Sequence, residues 1–286
     1  TGNDSTHDKV IRRMLDEEDF KPGEWYNADA ARGDGKGSME KEVRMATLTE
    51  SVIIKPTGDK PGQKDAHVNI IEGQTGSMMV GAGVASDSGV IGQIIFDQRN
   101  FNINDWPNSF GEIFNGQAFK GAGQRLRIAL EPGTEQSTFS IGFTEPFLYD
   151  KPVSLDVGAV SFERDRESYT ESRLKGYVGF EKRYRDFWRR GISLRAENVD
   201  VSSVDLDAPK EIKDVKGGNM LLGAKFYVGK DTTDSRFTPS KGYNFTIGYE
   251  QVGGDHTFGI VDVTQRWYRR LYEALADRKT VLETKF

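Results

Sequence analysis

The sequence lacks several features on which common functions depend. It contains no cysteine, which excludes disulfide bonds, a thiolate nucleophile and a cysteine-based metal site. No run of about 18 apolar residues occurs, so the sequence predicts no transmembrane helix. The first residues lack the basic segment and apolar run of a signal peptide, and residue 1 is not Met. We therefore expect a processed or excised part of a longer chain.

An excess of positive charge is also missing. The 39 basic residues are outnumbered by 44 acidic residues, giving a net charge of −5, which disfavours binding to nucleic acid. The three histidines are dispersed without ligand spacing, and the acidic residues Asp231, Asp234 and Asp255 do not follow a calcium-loop pattern. Residues 33–38 match only part of a phosphate-binding loop. The sequence thus predicts no metal, no cofactor and no enzymatic activity.

Glycine and aromatic residues are abundant, with 32 glycines and 11% aromatics, a composition typical of many strands joined by tight turns. The first part of the chain nevertheless has a mixed pattern. Helical periodicity predicts helices at 7–18, beginning after a Thr6 cap, and at 39–48, with Met39, Val43 and Ala46 or Leu48 inward. Alternating apolar residues predict strands at 51–55 and 66–71. This order indicates a small α+β unit.

From Ser77 onward the apolar residues repeat with a period of two, which predicts about eleven strands. Leu126, Ile128 and Leu130, for example, alternate with Arg125 and Arg127. Such alternation suits both a membrane barrel with its apolar face outward and a soluble all-β domain with its apolar face inward. The predicted strand length of about 9–12 residues and the aromatic residues near strand ends favour the membrane barrel.

Four segments, taken in order, resemble those of BamA-type outer-membrane assembly factors. Residues 68–103 resemble the junction between the last POTRA domain and the first two barrel strands, including the corner from Gln98 to Asn100. Residues 119–130, 140–155 and 231–250 resemble the third strand, the end of the fourth strand with its turn, and the turn before the ninth strand. Residues 104–123 form an insertion relative to the simplest members of this family.

The resemblance implies two domains. Residues 1–74 would be a POTRA-like periplasmic domain without its first strand, and residues 75–286 would be the N-terminal part of an antiparallel transmembrane β-barrel in the outer membrane. Because the sheet would be incomplete, we expect the edge at 281–286 to make the isolated chain prone to aggregation.

The resemblance also implies a function in inserting and folding other outer-membrane proteins. Unfolded client proteins would be recruited by the POTRA strand and templated on the first barrel strand, with outer-membrane lipids and accessory lipoproteins as further partners. The implied lateral-gate residues are Ser77, Met78, Met79, Val80, Gly81, Ala82, Gly83, Val84 and Ala85. The implied POTRA docking strand consists of Ser51, Val52, Ile53, Ile54 and Lys55. The structural turn motifs are Glu145, Pro146 and Phe147, together with Asp234, Arg236, Pro239 and Gly242.

Other functions share parts of this pattern. A two-partner-type secretion pore also has POTRA domains and a barrel, but it exports a passenger polypeptide through the lumen. A passive porin would not need a docking module, and a soluble all-β binding protein would bury the apolar face. The order of the motifs favours the assembly factor over these alternatives.

Overall fold

The computed structural model describes residues 1–17, 20–28, 31, 39–60, 62–85, 89–109, 111–112, 118–235, 238–274 and 278–286. The predicted N-terminal helices and strands are present. Their bounds are α1 Asp8–Glu17, α2 Met39–Thr47, β1 Ser51–Thr57 and β2 Asp65–Ile71. The two helices pack over the β1–β2 hairpin around a buried apolar core formed by Ile11, Leu15, Met39, Val43, Val52, Ile54 and Ile70.

Helix α2 differs in detail from the sequence prediction. Met39 and Val43 are buried as expected, but Ala46 and Leu48 are only half-buried, whereas Thr47 is buried. The hydroxyl of Thr47 donates to the carbonyl of Val43 at 2.7 Å, which satisfies this polar group inside the core. Leu48 adopts a left-handed conformation with φ of 55° and ends the helix.

The rest of the described chain is dominated by one antiparallel sheet of eleven strands, as the period of two predicted. Each strand pairs with its neighbours in sequence, in the order β13 to β3 across the sheet. The strands are β3 Gly76–Ala85, β4 Gly89–Phe101, β5 Gln124–Glu131, β6 Gln136–Glu145, β7 Val153–Arg166, β8 Tyr169–Arg183, β9 Trp188–Ser202, β10 Gly217–Asp231, β11 Gly242–Gly254, β12 Phe258–Glu273 and β13 Lys279–Lys285. A short helix, α3 Lys210–Asp214, lies between β9 and β10.

The two faces of the sheet have opposite environments. On strand β9, Leu194 is 50% exposed, whereas Glu197 is only 7% exposed. The same holds on β8, where Leu174 is 62% exposed and Glu171 is 6% exposed. A soluble all-β domain would bury the leucines, so the exposed apolar face agrees with a sheet that faces lipid.

The less exposed face carries paired charges that cross the strands. Asp97 on β4 accepts two hydrogen bonds from Arg125 on β5, at 2.8 and 2.7 Å. Lys225 on β10 pairs with Asp262 on β12 at 2.6 Å. Pairing compensates these charges for their loss of solvent, so the polar face remains stable despite its burial.

The described sheet is not closed. Strands β3 and β13 each have one neighbouring strand among the described residues, and they lie at opposite edges. Within the same residues, no helix has the length and apolar character needed to cross a membrane. The N-terminal unit contacts the turns that join β4 to β5, β6 to β7 and β10 to β11, so all three lie at one rim of the sheet.

Candidate functional site

The predicted lateral-gate residues form the edge strand β3. This strand pairs with β4 from Gly76 opposite Gln98 to Ala85 opposite Gly89. Its other side has no strand partner within the described part of the chain. The backbone donors and acceptors on that side are therefore placed to pair with an added strand.

The side chains of β3 are exposed to solvent on both faces of the sheet. Met78 and Val80 are each 69% exposed on the apolar face, and Met79 is 59% exposed on the other face. All residues from Ser77 to Val84 are exposed. Such a strand presents a continuous backbone edge, and its exposed side chains impose little selection on an added strand.

Gly81 and Gly83 have no steric requirement for glycine. A Cβ atom added to either residue would meet no atom within 4 Å, and neither has a positive φ. Glycine in a strand contributes no packing and loses more conformational entropy than other residues on ordering. The two glycines therefore weaken β3 without shaping it.

The beginning of β3 is held firmly. A Cβ atom at Gly76 would lie 2.6 Å from the side-chain oxygen of the buried Gln98. Just before the strand, Thr75 is buried and its carbonyl accepts the backbone N–H of Arg99 at 3.0 Å. The edge strand is thus fixed at the rim beside the N-terminal unit and exposed along the remainder of its described length.

The predicted docking strand lies in a different sheet. Strand β1, which contains Ser51, Val52, Ile53, Ile54 and Lys55, pairs with β2 on one side. On the opposite edge of β2, the N–H of Ile70 donates to the carbonyl of Thr1 at 2.9 Å. This arrangement places β2 in the centre and β1 outside. The N–H of Ile54 donates to the carboxylate of Glu40 at 2.7 Å, so this position of the outer strand already has a partner.

The motif formed by Glu145, Pro146 and Phe147 connects the sheet to α1. The carboxylate of Glu145 accepts the N–H of Phe147 at 3.0 Å. Phe147 is buried, and the guanidinium groups of Arg13 and Arg183 lie 5.2 and 5.0 Å from its ring centre. Because Arg13 comes from α1 and Arg183 from β8, the ring is held by cation–π contacts from both parts of the molecule.

The second turn motif stabilises the connection between β10 and β11. The carboxylate of Asp234 accepts the N–H groups of Ser240 and Lys241 at 2.7 and 3.0 Å. Burial acts to raise the pKa of Asp234, but the hydrogen bonds from Ser240 and Lys241 outweigh it and hold the pKa below its ordinary value. Gly242 has φ of +101°, and a Cβ there would lie 2.3 Å from the carbonyl oxygen of Thr232.

This turn also reaches the N-terminal unit. The hydroxyl of Ser235 donates to the carboxylate of Glu42 on α2 at 2.7 Å. Pro239 lies in the same described turn, whereas Arg236 lies outside the described residues. The two turns thus contact the two N-terminal helices, one through Phe147 and Arg13 and the other through Ser235 and Glu42.

Asn100 belongs to the Gln98–Asn100 corner named in the sequence, and it lies where the start of α1 meets β4. Asn100 is 3% exposed. Its side chain donates to the hydroxyl of Thr6 at 2.9 Å and accepts the N–H of Gly123 at 2.8 Å. Thr6, predicted as a helix cap, thus joins the start of α1 to β4. The Gln–x–Asn corner was visible in the sequence, but partners so distant along the chain were not.

Glu72 provides a second junction contact that the sequence did not reveal. Its carboxylate accepts the N–H groups of Ser5 and Thr6, the latter at 2.6 Å. Burial acts to raise the pKa of Glu72, but these hydrogen bonds outweigh it, and the pKa lies below its ordinary value. The residues before α1 are thereby tied to the segment that leads into β3.

A wide cleft of about 1590 Å³ separates much of the N-terminal unit from the rim of the sheet. Strand β2 and helix α1 form one side, and the strand ends around Arg183, Arg189 and Asp231 form the other.

The family model and the similar proteins that match this chain agree with one another. The Omp85 superfamily domain matches residues 119–286. The chain is 24% identical over 263 residues to the outer membrane protein assembly factor BamA of Nitratidesulfovibrio vulgaris, covering 90% of this chain and 30% of that protein. It is 25% identical over 269 residues to BamA of Neorickettsia risticii, covering 90% of this chain and 32% of that protein. The chain thus spans about a third of the length of these relatives.

A solved structure supports the fold. The crystal structure of BamA from Haemophilus ducreyi lacking POTRA domains 1–3 aligns with 99% of this chain and 52% of that chain. The TM-score is 0.61 and the sequence identity is 18%. At this identity the likeness concerns the architecture alone, and the aligned part of this chain includes both the N-terminal unit and the eleven-stranded sheet.

Proposed function

This chain belongs to the Omp85 superfamily, and from that premise we propose that it is part of a factor that assembles and inserts outer-membrane β-barrel proteins. It is located in the outer membrane, as the resemblance implied. The named assembly factors among its relatives support the activity. The observation that carries the proposal is the edge strand β3, which is exposed from Ser77 to Val84 and has one strand neighbour within the described residues.

The proposed action is templating by backbone hydrogen bonds. A client strand would pair with the outer side of β3, where the side chains impose little selection. Membrane strands satisfy their backbone groups only when they are paired. Completion of the client barrel would therefore supply the free energy, and no covalent bond would be broken. The activity is assembly rather than enzymatic catalysis.

We assign residues 75–286 to the N-terminal portion of a transmembrane barrel. The exposed leucines at 174 and 194 and the paired charges on the other face support a lipid-facing exterior and a polar interior. Further strands following β13 would be needed to complete such a barrel, since β13 and β3 lie at opposite edges of the described sheet.

We assign residues 1–74 to a POTRA-like domain. The order of two helices and a hairpin supports this assignment, as does the backbone of Thr1 on the outer side of β2. In this assignment β1 would receive unfolded clients before they reach β3. Glu40 would have to leave the N–H of Ile54 for pairing at that position.

The test uses the full-length protein in liposomes with an added unfolded outer-membrane protein. Client folding is followed as conversion to a protease-resistant, heat-modifiable barrel. We expect faster folding than in empty liposomes, and loss of that acceleration when a disulfide joins β3 to the last barrel strand. A matched control joins Ala159 to Gly176, which already face each other on interior strands.

The control disulfide should preserve the acceleration because it leaves the edge free. Equal inhibition by both disulfides would contradict the role of β3. Passage of the added polypeptide through the vesicles without its folding into the membrane would instead indicate a secretion pore.

A further inference from the structure

An aromatic cluster lies at the rim of the sheet, next to the edge strand pair. Phe101 at the end of β4 stacks on Phe119 with ring centres 5.6 Å apart, and Trp106 packs edge-on against Phe119 at 5.3 Å. Phe101 also makes an edge contact with Phe143 on β6 at 6.2 Å. We call these four residues the rim aromatic cluster: Phe101, Trp106, Phe119 and Phe143.

The cluster lies on the apolar side of the sheet. Phe143 has the same strand parity as Ile141, which is 48% exposed and lies opposite Ile128 on β5. Asp97 and Arg125, which pair on the polar side, have the other parity. The rim aromatic cluster therefore continues the face that we assign to lipid.

The connection that carries Trp106 is held by hydrogen bonds. The N–H of Asn102 donates to the carbonyl of Phe119 at 2.8 Å, and the N–H of Phe119 donates to the carbonyl of Asp105 at 3.0 Å. The carboxylate of Asp105 accepts the N–H of Lys120 at 3.1 Å. These hydrogen bonds hold the residues on either side of the rings of Trp106 and Phe119.

The side chain of Trp106 is nevertheless largely exposed to solvent. It is 72% exposed and its neighbour Ile103 is 48% exposed, whereas Phe101 beneath them is buried. The adjoining residues Asn104 and Asn108 are polar and exposed. An apolar ring bordered by polar groups at the end of a lipid-facing strand suits the boundary between acyl chains and headgroups, where tryptophan is enriched.

We propose that residues 102–106, which follow β4, form a membrane-interface anchor, in which Trp106 and Ile103 insert into the headgroup–acyl boundary of the leaflet at this rim. The occupant is lipid, because the exposed side chains extend the lipid-facing surface. The inference rests on the membrane location of the sheet and not on the assembly activity. The anchor lies one strand away from β3, and it would fix the height of the edge strand in the bilayer.

Fluorescence quenching by brominated lipids provides the test. The full-length protein is reconstituted into phosphatidylcholine vesicles whose acyl chains carry bromine either near the headgroup or near the chain end. The difference between the wild type and Trp106→Phe isolates the emission of Trp106. Trp25 in the N-terminal unit, which is 95% exposed, provides the matched control through Trp25→Phe.

We expect the Trp106 emission to be blue-shifted and quenched several-fold more by shallow than by deep bromines, with no lipid quenching of Trp25. Water-like, unquenched emission from Trp106 would overturn the proposal, as would preferential quenching by deep bromines. Heat-modifiable migration of each variant verifies that the barrel is folded. Because the readout does not require client folding, an inactive protein can still support or overturn the anchor.

Discussion

At the scale of single residues, Asn100 links the start of α1 to the sheet. Its buried side chain uses both its donor and its acceptor, on Thr6 and Gly123. Its backbone carbonyl also accepts the N–H of Gly121 at 2.8 Å. Gly121 in turn accepts the N–H of His7 through its own carbonyl, at 2.9 Å. The side chain and backbone of Asn100, together with the backbone of Gly121, therefore form a continuous set of contacts between the start of α1 and the sheet.

Replacing Asn100 with alanine should loosen this junction. The change leaves the buried hydroxyl of Thr6 and the partly buried N–H of Gly123 without their partner, and an unsatisfied buried polar group costs about 1–3 kcal/mol. Hydrogen exchange should accelerate at the amides of His7 and Gly123, and proteolysis should become faster between the N-terminal unit and the sheet. Asn104→Ala is the control, since Asn104 is exposed. Equal protection in both variants would show that Asn100 does not hold the junction.

Contacts between single residues that are distant along the chain could not be predicted from the sequence. The corner at Asn100 and the turn at Glu145, Pro146 and Phe147 were visible as local motifs. Their partners, Thr6 and Arg13, come from α1 and its preceding residues, and no local pattern specifies which distant side chain meets a motif. The junction and its motifs were therefore predicted, but the side-chain contacts that form it were not.

At the scale of elements, β3 combines a firm beginning with a weak continuation. A Cβ atom at Gly76 would meet the side chain of Gln98 at 2.6 Å, whereas a Cβ atom at Gly81 or Gly83 would meet no atom within 4 Å. Substitution at these two positions is sterically allowed, so their glycines can be exchanged for strand-forming residues without a clash. The sequence alone could not distinguish a glycine needed for curvature from one that weakens the edge.

Replacing Gly81 and Gly83 with valine should strengthen the edge strand and slow assembly. Strand propensities span about 1 kcal/mol, which corresponds to roughly a five-fold change in an equilibrium per substitution. We expect slower hydrogen exchange along β3 and a reduced rate of client folding by a similar factor, in a barrel that remains heat-modifiable.

Gly176→Val is the matched control for this change. A Cβ at Gly176 also meets no atom within 4 Å, but the residue lies on β8, which is paired on both sides. An equal loss of activity in the control would attribute the effect to the barrel as a whole. Unchanged exchange in β3 would contradict the view that the glycines weaken the edge.

At the scale of the whole molecule, the order of elements was predictable because periodicity is a local property. The period of two gave the strands, and neighbouring strands paired as a simple meander. The alternation of apolar and polar residues did not show which face of the sheet points outward. Lipid and the core of a soluble protein both select apolar residues. The exposed Leu194 beside the buried Glu197 distinguishes these cases, and that difference exists only once the strands are assembled.

Pairing of a client strand with β3 can be tested directly by cysteine cross-linking. The chain has no cysteine, so single cysteines can be placed from Ser77 to Val84 in the full-length protein, after replacement of any cysteines elsewhere. A client stalled during assembly carries one cysteine in its terminal strand. A control cysteine replaces Lys225 on the polar face of β10.

Strand pairing between the client and β3 predicts cross-links that follow one register between the two strands. Moving the client cysteine by one residue should move the strongest cross-link by one residue along β3, with little product at position 225. Cross-links without register, or a predominant product at position 225, would contradict templating at the edge and place the polypeptide on the polar face of the sheet instead.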